Sequence, residues 1–147
     1  MTKIIIGVKG TGKTKVLIDM INSALDSSDG SVVCIEKGDN LRLQVSHKCR
    51  LINSDEYMVE DAEALYGFIA GILASNHDVT DVFVDSALKI ANNEIAKFDD
   101  FVKKVDELCR DRRQSHLKHQ RQHSFRAELF IGFYHFCSLN YFLPILS

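Results

Sequence analysis

The sequence has little that would mark a secreted, membrane-bound or nucleic-acid-coating protein. Its four cysteines, Cys34, Cys49, Cys109 and Cys137, are scattered with no C-x-x-C pair. That spacing speaks against a disulfide framework and for a reduced, cytoplasmic setting. Neither charge sign dominates: 18 Lys and Arg stand against 20 Asp and Glu, for a net charge of −2. A general nucleic-acid binder is not expected on that balance, although a local basic patch stays open. The apolar start is interrupted almost at once by glycines and lysines, so no signal peptide is expected. With 147 residues, 46% of them hydrophobic and 26% charged, the chain has the length and make-up to bury a core.

What is present begins at the N-terminus. Lys3-Ile4-Ile5-Ile6 reads as a short buried strand and runs into Gly7-Val8-Lys9-Gly10-Thr11-Gly12-Lys13-Thr14. This segment fits G-x-x-x-x-G-K-[ST], the phosphate-binding P-loop. Beyond it Val16, Leu17, Met20, Ile21, Ala24 and Leu25 recur at helical spacing. Strand, glycine loop and helix therefore come in the order the motif requires. Gly7, Gly10 and Gly12 let the backbone adopt turns closed to other residues and approach an anion. Successive amides then converge at the positive end of the helix that starts near Gly12. In this reading Lys13 reaches the β- and γ-phosphates, and the Thr14 hydroxyl meets Mg²⁺, an ion that keeps several waters and needs few protein ligands.

Asp26 to Gly30 is a turn cluster, and Ser31 to Glu36 a second buried strand ended by Gly38-Asp39-Asn40. Leu41 to His47 fits either an alternating strand or a short helix. Arg50 to Asn53 fits a short third strand. Acidic residues near Asp61 favour a helix start, and Ala62, Leu65, Phe68, Ile69, Ile72 and Leu73 continue it. Gly67 and Gly71 inside that helix cost about 1 kcal/mol each against alanine, which close packing on the sheet would explain.

Val82-Phe83-Val84-Asp85 reads as an apolar strand ending in an acid. In P-loop proteins such a strand, beside the P-loop strand, presents the Walker B aspartate near the metal. Asp85 takes that role here; Asp81 comes too early in its strand. Many hydrolytic ATPases carry a glutamate after this aspartate, but here the residue is Ser86, so binding with slow or no hydrolysis is expected. A long helix follows, with Ile95, Phe98, Phe101, Val102, Val105 and Leu108 as its apolar stripe.

The fold expected is α/β, a three-layer, doubly wound, mostly parallel sheet of P-loop NTPase type. More narrowly, IIIGVKGTGKT, CRLINSDEY, YGFIAGILASN and VFVDSALKI resemble short bacterial, clostridial-type P-loop proteins labelled as relatives of twitching-motility retraction ATPases. The resemblance covers residues 1 to about 110. It implies nucleotide binding by Lys13, Thr14 and the loop around them, with Asp85 near the metal.

In that family another hydrophobic strand and a short acidic helix follow. Here residues 111–147 are first basic and polar, then aromatic; about half of the phenylalanines and tyrosines lie after residue 124. Four readings compete for this tail. His116, His119 and His123 could share a helix face and bind zinc or nickel. Arg112, Arg113, Lys118, Arg121 and Arg126 could contact nucleic acid. The final apolar stretch could anchor in a membrane, although His135, Asn140 and Pro144 interrupt it. The favoured reading is a foreign or out-of-frame end that leaves the sheet without its C-terminal strand and packs poorly. The division is thus a nucleotide-binding domain, 1–110, and an atypical tail, 111–147.

The function expected is binding of ATP, or GTP, with Mg²⁺, through Gly7 to Thr14 for the phosphates and Thr14 with Asp85 for the metal. A small-molecule or nucleotide kinase and a nucleotide-gated module for an unidentified protein partner are the alternatives; neither nucleic acid nor membrane is an expected partner. No adenine-stacking aromatic or guanine-reading N-K-x-D motif can be identified, so the base is not read from the sequence.

Overall fold

The computed structural model describes residues 2–8, 10, 12–118 and 126–133. Among these residues five strands form one parallel sheet: β1 (Thr2–Val8), β2 (Ser31–Glu36), β3 (Arg50–Asn53), β4 (Val79–Val84) and β5 (Arg126–Phe133). Their order is β1-β5-β4-β2-β3, and every pairing is parallel. The helices are α1 (Lys13–Ser27), α2 (Ala62–Ser75), the short α3 (Ala87–Ile90) and α4 (Ile95–Lys118), with a 3₁₀ turn at Ser54–Tyr57. Leu41 to His47, ambiguous in the sequence, is neither strand nor helix but a run of turns and bends.

Two apolar clusters show the layers. On one face Leu17, Ile21 and Ala24 of α1 pack against Val32, Cys34 and Phe83. On the other, α2, α3 and α4 cover Val33, Ile35, Val82, Val84 and Ala127. Parallel strands must be covered on both faces, because their crossovers place helices there. The near-continuous apolar runs of β2 and β4, almost wholly buried, are the sequence form of that requirement. The expected three-layer α/β sheet is what the chain forms.

Two expectations are corrected. The sheet does not lack a strand near its end: β5 lies between β1 and β4 and bonds to both, with Thr2 opposite Ala127 and Val82 also opposite Ala127. Ala127 is buried in the core. The acid-tipped strand is accordingly not beside the P-loop strand but one place removed. β5 was illegible because its start carries Arg126, a residue that fits poorly in an inner strand unless paired. The structure supplies the pair: Arg126 Nε donates to Asp81 Oδ1 at 2.7 Å, and Asp81 is buried. Asp81 therefore holds β4 to β5.

Arg112 is likewise turned inward. Its guanidinium donates to the carbonyls of Leu73 (2.6 Å), Asn76 (3.0 Å) and His77 (3.1 Å), where α2 ends. Leu73 is among the last carbonyls of α2, which a helix leaves without an internal partner, and Asn76 and His77 follow directly after it. Two of the five basic residues considered for nucleic-acid contact are thus engaged within the fold, and Arg121 lies outside the described residues. His116 falls within α4, while His119 and His123 lie outside the described residues. So does the aromatic stretch after Phe133. Among the described residues no helix is long and apolar enough to cross a membrane.

Gly67 and Gly71 do not serve close packing. Both are exposed, and a Cβ built on either meets nothing within 4 Å. The close approach occurs instead at Gly30, where a Cβ would lie 2.3 Å from the Asp78 carbonyl oxygen.

Candidate functional site

Because all five strands run the same way, their C-terminal ends share one edge, where ligands bind in open α/β sheets. β1 ends at Val8, and Gly10 and Gly12 follow at φ +88° and +79°. Both angles lie in the left-handed region that favours glycine. Gly12 is the N-cap of α1, and the first turn has neither a side-chain cap nor an acid. A Cβ at Gly10 or Gly12 would meet nothing within 4 Å, so the loop borders open space. Lys9 and Thr11 lie outside the described residues, and Gly7 and Val8 are the last residues of β1.

Lys13 opens α1 and is half-buried, while Thr14 beside it is exposed. Burial lowers the Lys13 ammonium from its ordinary range; Asp85 acts in the opposite sense, and Lys89 adds to the lowering. Burial raises the Asp85 carboxyl, and hydrogen bonds from Ser86 together with the charges of Lys89 and Lys13 pull it back. Lys13 and Asp85 thus lie in one field of charge. It records no contact between Thr14 and Asp85. Among the described residues no group of three or more His, Cys, Asp and Glu side chains is placed to hold a metal ion.

Asp85 lies directly after β4, and its amide donates to the Ile35 carbonyl of β2 at 2.8 Å. The backbone then turns at Ser86, which takes a left-handed φ of 54° and starts α3. Asn92 and Asn93 after α3 also have positive φ. Such positions cluster at functional sites, held there by surrounding structure. Lys37, Glu60, Lys89, Asn92 and Asn93 line a polar cleft of about 540 Å³ at this edge.

Sequence reasoning missed Glu36. Val32 and Cys34 face α1 while Val33 and Ile35 face away, so alternation along β2 sends Glu36 to the α1 side. The same count along β4, from Phe83, sends Asp85 there. Register places the two acids side by side, because Ile35 pairs with Val84. Glu36 is fully buried. Its Oε2 accepts from the amides of Asn40 (2.9 Å) and Leu41 (3.0 Å), while Oε1 has no hydrogen-bond partner among the described residues. Burial raises its carboxyl, the two amides lower it, and Asp39 and Asp85 raise it further. The available signal was an acid ending an apolar strand, Val-Val-Cys-Ile-Glu, the same pattern that singled out Asp85.

A parallel α/β sheet of this kind is compatible with P-loop NTPases without being specific to them. Neither a protein-family model nor a curated protein sequence matches the chain.

Proposed function

We propose that the chain binds a nucleoside triphosphate, ATP before GTP, together with Mg²⁺, and turns it over slowly if at all. One observation carries this reading. The loop between β1 and α1 has two glycines at positive φ beside open space, and it leads directly to a lysine in the charge field of Asp85. Helix starts and concave runs of amides favour anions, and a lysine there serves as a point charge for phosphate. The donor set fits the ion as well: Asp85 offers a carboxylate, and Mg²⁺ is commonly held by one or two carboxylates plus substrate phosphates. Thr14 is the second candidate ligand. Bound Mg²⁺ would neutralise phosphate charge; the chain's own part is to hold and orient. A cytoplasmic setting agrees with Cys34 and Cys49, both buried thiols outside any disulfide.

Calorimetric titration with ATP and Mg²⁺ tests the reading. Lys13→Ala should weaken binding at least tenfold, since a lost charge-assisted contact costs roughly 1.5–3 kcal/mol. Equal affinity in the two proteins would remove the claim. A small-molecule kinase is the second reading, favoured by the polar cleft of Lys37, Lys89, Asn92 and Asn93 beside the paired acids. An acceptor-dependent burst of nucleoside diphosphate would single it out.

A further inference from the structure

Ser86 occupies the position where hydrolytic ATPases often carry a glutamate, yet the structure supplies an acid from the neighbouring strand. We propose that Glu36 is the carboxylate that orients the attacking water and takes its proton when a nucleoside triphosphate is hydrolysed at this site. The inference rests on the nucleotide-binding reading above.

Three observations support it. Glu36 lies beside Asp85 on the sheet face that carries α1, at the edge where Lys13 opens that helix. Its backbone-bonded oxygen is fixed by two amides from the turn that follows β2, so the carboxyl group is held rigidly. Its other oxygen is buried without a partner among the described residues. A buried acceptor in that state is a place for an ordered water. An acid kept in this condition also weakens the fold, because burial raises its carboxyl and the charges of Asp39 and Asp85 add to the rise. Structural need alone would be met as well by glutamine, whose side-chain oxygen can accept from the same amides.

The step balances as follows. A water O–H bond breaks and its proton passes to Oε1 of Glu36. The water oxygen bonds to the terminal phosphorus, and the bond from that phosphorus to the bridging oxygen breaks. The electron pair leaves with the diphosphate.

The test compares the full chain with Glu36→Gln. Three quantities are measured: calorimetric ATP affinity with Mg²⁺, single-turnover hydrolysis, and the melting temperature of the nucleotide-free protein. Hydrolysis should fall at least a hundredfold, in keeping with the usual contribution of a general base. Affinity should stay within threefold, and the free variant should melt no lower than the wild type. An unchanged hydrolysis rate overturns the inference. So does a variant that melts lower and binds more weakly, which would mark Glu36 as structural, or a wild type that binds ATP and never hydrolyses it. Failure of the wild type to bind ATP at all is a separate result, and it removes the nucleotide reading along with this one.

Discussion

Asp85 shows how a single side chain can be set against the fold that carries it. Its carboxyl is raised chiefly by burial, so the native state holds the proton more tightly than the unfolded chain does. For a carboxyl shifted upward, native stability falls as pH rises above the ordinary carboxylate range near about 4. Asp85→Asn should therefore raise the melting temperature of the free protein at pH 7 and bring no gain below about pH 4. Thermal melts at the two pH values check this. In the same variant Mg²⁺ should strengthen nucleotide binding less than in the wild type, as titrations with and without the ion would show. The site's two acids were unequally legible. Asp85 follows a P-loop at the expected remove, so motif context singled it out. Glu36 has no motif, and its importance comes from register and burial, which belong to the folded sheet.

At the scale of elements, α2 is instructive because its limits were plain in the sequence while its glycines were misread. Asp61 caps the helix by accepting from the Ala64 amide at 2.7 Å, and Leu65, Ile69 and Leu73 form the buried stripe. Gly67 and Gly71 lie outside that stripe with open space where a Cβ would go. Replacing each with alanine should stabilise the protein by about 0.5–1 kcal/mol, through helix propensity and loss of unfolded-state freedom. Urea denaturation of the single and double variants measures it; a loss of stability would reveal a contact on that face. β2 and β3 were legible for a related reason, as short apolar runs between turn residues. β5 was not: Arg126 and Glu128 interrupt its pattern, and its place in the sheet depends on the buried partner Asp81.

Across the whole molecule, the order β1-β5-β4-β2-β3 makes the end of the described chain responsible for its beginning. Among the described residues β1 pairs with β5 alone, so β5 is the hydrogen-bonded link between β1 and the other described strands. This reverses the expectation of a foreign end that leaves the sheet without its C-terminal strand. Removal of residues 119–147 should abolish cooperative unfolding and ATP binding together. Circular dichroism melts and calorimetry on the truncated chain test the point, and a shortened protein that still binds at full affinity would contradict it. The sequence shows the layers, because apolar periodicity records which faces are covered. It does not show strand order, because neighbouring positions in a sheet are settled by crossovers and distant pairs.

The pairing of Thr2 with Ala127 also has a consequence in time. Contacts so far apart along the chain form late, because the closure of a long loop must be accomplished before they can reward it. During synthesis β1 emerges first, but its partner strand follows every other described helix and strand. A ribosome-bound chain therefore carries the sequence of the glycine loop after β1 long before it can hold that loop in shape. The loop takes its place only once β5 has been made and lies between β1 and β4.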